Sequence, residues 1–134
     1  MLFRSVSDLK LDNRVFFLGF IPHPELPAYL YASDIFIRPS LSEGLGNSFL
    51  EAMATNLPVI ATPVGGILDF VKDGETGLFC EVSNPKSIAQ KVDKLMKDKD
   101  SREYIIRSGK NMVMEQYNWY SIAPKIRDIL SGKV

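Results

Sequence analysis

The sequence predicts an α/β fold: a Rossmann-like parallel sheet of about four strands, with helices on both faces and a helical C-terminus. Three observations predict it. Short apolar runs alternate with helical stretches as far as Cys80, which is the pattern of strand–crossover–strand units in a parallel sheet. A Ser- and Gly-rich loop joins the run Ile35-Phe36-Ile37 to a stretch in which Phe49, Leu50, Met53 and Ala54 recur at helical spacing. From Asn84 onward, three helical stripes follow with no further strand run.

Each element has its own signal. Met1–Lys10 carries a helical pattern in Leu2, Val6 and Leu9, short and poorly capped, as at the end of a helix whose beginning is missing. Val15-Phe-Phe-Leu18 is apolar, bulky and stopped by Gly19, so it reads as a strand. Phe20-Ile-Pro-His-Pro24 reads as a loop, because two prolines two residues apart exclude both helix and ladder pairing. Leu26 and Leu30 mark a short helix ending near Ser33, and Ile35–Ile37 is the second strand. Pro58–Ala61 is the third strand, Val64-Gly-Gly66 a tight turn, and Ile67–Val71 one or two helical turns. Asp73-Gly74 signals a turn before a fourth strand at Gly77–Cys80. Asn84-Pro85 opens a helix as cap and first residue, with Ile88, Ala89, Val92, Leu95 and Met96 as its apolar stripe. A second helix is expected from about Ser101 with Tyr104, Ile105 and Met112, and a third from about Asn118 with Ile122, Ile126, Ile129 and Leu130. Pro124 lies inside that last stripe and predicts a kink, or a helix that effectively begins there.

A chain of 134 residues holds one domain at most. Its 46% hydrophobic and 10% aromatic content fits a globular protein with a real core. Sixteen basic and sixteen acidic residues cancel, which argues against nucleic acid as a partner. The single cysteine excludes an internal disulfide and fits a reducing, cytoplasmic setting. No apolar run approaches the ~20 residues of a membrane span.

The chemistry concentrates in Arg38-Pro-Ser-Leu-Ser-Glu43-Gly-Leu-Gly-Asn-Ser-Phe-Leu-Glu51. Gly44 and Gly46 lack side chains, so a ligand can approach the backbone. The amides of Asn47 and Ser48 head the expected helix, have no intrahelical acceptor, and carry part of its positive end. That suits a phosphate. Glu43 precedes the helix and Glu51 lies in its second turn, so the two carboxylates flank the phosphate position. Carboxylates repel phosphate and accept from hydroxyls. A phosphate between two hydroxyl-bearing groups describes a nucleotide-sugar.

These residues carry a family pattern. Pro39-Ser-Leu-Ser-Glu-Gly-Leu-Gly, followed by Glu51-Ala-Met-Ala and Leu57-Pro-Val-Ile-Ala-Thr, resembles the group 1 (family 4) retaining glycosyltransferases of GT-B fold. Val64-Gly-Gly, Asp73-Gly-Glu-Thr-Gly-Leu78 and Tyr117-Asn-Trp119 add to the match, which runs from about Val15 to the C-terminus. The resemblance implies two Rossmann-like domains with a cleft between them, the N-terminal one holding the acceptor and the C-terminal one the nucleotide-sugar. Residues 1–134 resemble only the C-terminal domain, as a single partial domain without the acceptor domain. No segment matches the strand and helix that supply an Arg and Lys pair to the diphosphate, so the chain alone is expected to be inactive.

By the resemblance, Glu43 contacts the transferred sugar near the reacting centre and Glu51 accepts from the ribose hydroxyls. Gly44, Leu45 and Gly46 lie against the donor sugar, Asn47 and Ser48 offer amides to the diphosphate, and Gly19, Phe20 and Ile21 lie beside the base. No cofactor and no metal are expected, the donor being a substrate. The partners implied are the nucleotide-sugar, the acceptor domain and, through the rest of a longer enzyme, a peripheral membrane contact. Two other classes compete: a nucleotide-sugar epimerase of the same architecture, which the Glu43/Glu51 loop disfavours, and a non-catalytic doubly wound interaction module. The latter, if receiver-like, needs an acidic cluster at the first strand end and a late Lys, neither of which is visible.

Other groups read more plainly. Leu68-Asp69 stands where the family often has Pro-Glu, and Arg38 replaces a commonly apolar residue, in reach of a phosphate or of a carboxylate. Gly65-Gly66 is either a turn packed closely on its neighbours or a ligand contact. His23 reads as a surface histidine and Cys80 as a buried thiol. Asp98-Lys-Asp100 reads as a solvated turn between helices, not as a metal site.

Overall fold

The computed structural model describes residues 2–132. In chain order the elements are α1 (Leu2–Asp8), α2 (Leu26–Tyr31), β1 (Phe36–Arg38), α3 (Asn47–Ala54), β2 (Val59–Ala61), α4 (Ile67–Phe70), β3 (Leu78–Phe79), α5 (Pro85–Lys97), α6 (Lys99–Gln116) and α7 (Trp119–Leu130). The sheet has the order β1-β2-β3 and both pairings are parallel. Phe36 faces Val59, Arg38 faces Ala61, and Ile60 faces Leu78.

Three of the four expected strands form. The stretch Val15–Leu18 does not: it joins no ladder, and Phe16, Phe17 and Leu18 stand 74%, 46% and 58% exposed. A strand exists only through a ladder, and among the described residues this run joins none. Its composition is that of a buried strand, but composition alone supplies no hydrogen bonds. The expected helix at the N-terminus is present as α1; Met1 lies outside the described residues.

The sheet has a core on each face, and β2 divides them. Val59 and Ala61 join Phe49, Ala52 and Met53 of α3, Ile67 and Phe70 of α4, and Val113 of α6. Ile60, of opposite pleat, joins Leu78, Cys80, Leu95 of α5 and Ile105 of α6. Right-handed crossovers that advance in one direction put their helices on the same face, as α3 and α4 are here. Phe49 is the hub of the first core, edge-on to Phe36 at 5.3 Å and tilted to Phe70 at 6.3 Å between ring centres. Helix α6 reaches both cores, since Ile105 packs in one and Val113 in the other. Gly109 allows it to lie close: a Cβ there would stand 3.1 Å from the Thr76 carbonyl and 3.5 Å from Met53.

Several motif residues prove to be structural. Asn84 caps α5 by accepting from the Ser87 amide at 3.1 Å, and Asp98 caps α6 by accepting from that of Ser101 at 3.0 Å. The Asp98-Lys-Asp100 stretch is therefore a helix start, which places α6 two residues earlier than its apolar stripe predicts. Asn118 caps α7, accepting from Ser121 at 2.9 Å, while Tyr117 packs edge-on against Phe70. In the Asp73–Leu78 turn, the Asp73 carboxylate accepts from the Phe79 amide at 2.7 Å and the Thr76 hydroxyl donates to the Phe70 carbonyl at 2.7 Å. As expected, α7 starts next to Asn118, whose cap opens it at Trp119; it does not begin at Pro124 but runs through the proline. None of its residues is fully buried, so the freed Tyr120 carbonyl, on a residue 95% exposed, faces water.

Cys80 is the buried thiol expected, 2% exposed and donating to the Ala61 carbonyl at 3.3 Å. Burial pushes the thiol above its ordinary value, outweighing its own backbone hydrogen bond and the charge of Lys91. The fold thus prefers the protonated form. That contribution to stability is complete below the unfolded thiol value of about 8.5 and is lost as pH rises through the folded value. The urea midpoint of the wild-type chain should therefore fall more steeply between about pH 8 and about pH 10 than that of Cys80→Ala. Parallel profiles would contradict the assignment.

Candidate functional site

The loop between β1 and α3 emerges at the carboxyl ends of the strands, where open α/β sheets hold their ligands. Its far end is Gly46, which sits in the left-handed region at φ 76° and caps α3 without a side chain. The Phe49 amide turns back to the Gly46 carbonyl at 2.9 Å, and among the described residues the amides of Asn47 and Ser48 meet no acceptor. The predicted pair of free amides is therefore in place at the helix start. Glu51 lies in the second turn, as its spacing predicts.

Both carboxylates have a basic partner. The Glu43 side chain is 13% exposed; its Oε2 lies 2.9 Å from the Arg38 guanidinium and accepts from the Ser40 hydroxyl at 3.1 Å. Arg38 also donates to the Ser48 hydroxyl at 2.8 Å, so it ties both limbs of the loop to the end of β1. Of the two readings open to Arg38 in the sequence, the structure realises the contact with a carboxylate, and that carboxylate is Glu43. At Glu51, the partner is His23, with Nε2 3.2 Å from Oε1. His23 is the surface histidine expected, and the structure adds its contact with Glu51. Its ring is 83% exposed, as a surface histidine would be, yet it marks one edge of an apolar recess of about 210 Å³ lined also by Leu26, Pro27, Leu30, Ala54 and Thr55. No spacing or motif in the sequence links positions 23 and 51, so nothing there could have found the pair.

The remaining expected positions are less tightly joined. Gly19 adopts a positive φ of 69°, Phe20 is 90% exposed, and Ile21 is half-buried. No hydrogen bond connects these three to the Glu43 loop among the described residues. Leu45 is 48% exposed on the loop's outer surface. Asp69 stands exposed on the single turn of α4. No three His, Cys, Asp or Glu side chains gather to form a metal cluster among the described residues.

The glycines divide into two kinds. A Cβ on Gly65, where φ is 55°, would meet the Glu43 carbonyl oxygen at 2.0 Å; one on Gly66 would meet that of Gly44 at 2.4 Å. The Gly66 amide donates to the Gly44 carbonyl at 3.0 Å, and the buried Thr62 hydroxyl donates to the Ser40 carbonyl at 2.5 Å. Gly65-Gly66 is thus the close-packing turn, and what it packs against is the backbone of the Glu43 loop. Gly46 is needed for its own backbone, since a Cβ there would crowd Phe49 at 3.0 Å. Of Gly44, Gly46, Gly65 and Gly66, it is Gly44 that faces open space, with nothing within 4 Å. The sequence treats Gly44 and Gly46 alike; the structure makes Gly44 the one that leaves room.

This division is testable by denaturation. Gly65→Ala combines a left-handed backbone with a clash against fixed backbone and should cost well over 1 kcal/mol. Gly44→Ala should stay within about 0.5 kcal/mol of wild type. Equal destabilisation in urea titrations would refute it.

Residues 1–112 match the family described as "Glycosyl transferases group 1". The chain is 33% identical over 136 residues to the GDP-mannose-dependent alpha-(1-6)-phosphatidylinositol monomannoside mannosyltransferase of Mycobacterium tuberculosis, covering 96% of this chain and 35% of that protein. It superposes with a TM-score of 0.91 on Anabaena Alr3699/HepE, solved in complex with UDP and glucose, at 26% identity, covering 98% of this chain and 35% of that one. It also superposes on the C-terminal domain of a glycosyl transferase group 1 family protein (LpcC) from Francisella tularensis, with a TM-score of 0.79 and 35% identity over 88% of this chain and 61% of that one. The expected fold, a Rossmann-like unit of the GT-B class, is borne out by these likenesses. The chain spans about a third of the length of the curated relatives it matches. By the extent of the family match and by its fold, the chain belongs to the group 1 glycosyltransferases.

Proposed function

We propose that this chain is the donor-binding part of a retaining, family 4 glycosyltransferase that passes a sugar from a nucleoside diphosphate to an acceptor hydroxyl. One observation carries the reading: two amides at the head of α3, without an acceptor among the described residues, lie in the chain between Glu43 and Glu51, and each carboxylate is paired with a basic side chain. A phosphate suits the amides, and hydroxyl-bearing groups suit the carboxylates on either side. The family membership and the UDP and glucose bound to Anabaena HepE support it.

In this reading Glu51 accepts from the ribose, as the ionised partner of hydrogen bonds typically worth about 1.5–3 kcal/mol each. Gly44 gives the sugar room, while Gly19, Phe20 and Ile21 border the base. As the sugar departs, negative charge builds on the diphosphate, and the fixed amides of Asn47 and Ser48 stabilise it without reorganising. Glu43 positions the sugar; no covalent role is assigned to it. The reading assigns no metal and no cofactor. The acceptor is the province of a second domain, so the 134-residue chain binds donor without transferring sugar. No helix of the described residues is long and apolar enough to cross a membrane; any membrane contact belongs to the longer enzyme, which the reading places in the cytoplasm.

Calorimetric titration of the chain with UDP, GDP and ADP tests this. At least one should bind, and Glu51→Ala should weaken that binding about tenfold or more. A wild-type chain that binds none of the three sinks the reading. In a longer enzyme containing this chain, Glu43→Gln should greatly lower transfer while nucleotide affinity stays within about threefold. Equal loss of both would contradict the role given to Glu43.

A further inference from the structure

Arg38 has more donors than its two contacts use. A guanidinium carries five N–H donors in a planar fork. One terminal nitrogen donates to Ser48 and the other pairs with Glu43. Among the described residues the remaining donors meet no acceptor, and the side chain is 48% exposed. Its location is also unusual for a cation. Through Ser48 it sits at the first turn of α3, and helix N-termini disfavour positive charge. Glu43 cancels the guanidinium, but about half a positive charge from the helix end is left over. Among the described residues no other basic side chain is hydrogen-bonded or ion-paired to the loop from Ser40 to Ser48. Spare donors, a local positive excess and an open approach over Gly44 all favour an anion at this point.

We propose that Arg38 is a phosphate-contacting residue of this site, and that the same guanidinium holds Glu43 in place while it does so. The proposal rests on the donor-site reading and adds a specific cation to it. The planar fork of one Arg can serve a carboxylate and a phosphate at once in fixed directions, which the rotatable ammonium of a Lys does less well. The negative charge that builds on the diphosphate and the carboxylate that positions the sugar would then share one cation.

The test is calorimetric, on the 134-residue chain, with far-UV circular dichroism to verify the fold of each variant. UDP, GDP and ADP are compared with uridine, guanosine and adenosine in wild type, Arg38→Gln, Arg38→Lys and Glu51→Ala. Arg38→Gln should weaken the best-bound diphosphate at least about tenfold and change the matching nucleoside by less than about twofold. Arg38→Lys should fall between wild type and Arg38→Gln, and added salt should weaken wild type more than Arg38→Gln. Equal losses for diphosphate and nucleoside would mark Arg38 as merely structural and overturn the proposal. So would a diphosphate affinity that Glu51→Ala lowers and Arg38→Gln leaves unchanged, an outcome under which the donor-site reading still stands. A wild-type chain that binds no nucleoside diphosphate removes both.

Discussion

Everything at the carboxyl end of the sheet depends on two backbones touching. The loop after β1 and the turn after β2 meet backbone to backbone, Gly65-Gly66 against the carbonyls of Glu43 and Gly44. One amide–carbonyl bond, from Gly66 to Gly44, and one buried hydroxyl, from Thr62 to Ser40, lock the contact. Together these two bonds hold the loop against the turn. With it fixed, Glu43 is brought to Arg38, and Gly46 sets the direction in which α3 leaves. The site is therefore less a set of side chains than a seam between two loops, with side chains attached.

The seam is held from below by β2. All three of its residues are 0% exposed, because the strand has a neighbour on each side and a core on each face. A strand so enclosed reads as a continuous apolar run without alternation, as Val59-Ile60-Ala61 does. The loops at its end can be polar and open because the strand beneath them is not. The aromatic contacts of Phe49 with Phe36 and Phe70 then tie α3 to the strand before it and to the short helix after β2.

Much of this was legible in the sequence, wherever a local rule decides the outcome. Asn84 caps a helix because its neighbours are Pro85 and Ser87, and α3 begins at Asn47 because Gly46 precedes it. The strands from Ile35, Pro58 and Gly77 were legible because each is bounded by turn residues. What could not be read depends on partners far along the chain. Val15–Leu18 has the composition of a strand and lacks a ladder. His23 finds Glu51 through a loop conformation that no spacing encodes, and the separate duties of Gly44 and Gly46 appear only when their surroundings do. Arg38 was visible as a departure, and its choice of Glu43 and Ser48 was not.

Helix α6 has a consequence for how the molecule comes apart. It supplies Ile105 to the core on one face of the sheet and Val113 to the core on the other, so neither core is complete without it. Segments that can open independently must keep their contacts to themselves; here a single helix is shared. Detaching α6 would expose both cores in one event, so the two layers should unfold as one cooperative unit despite being separated by the sheet. The seam that shapes the site would then persist as long as the whole fold does, and its lifetime would be that of global unfolding.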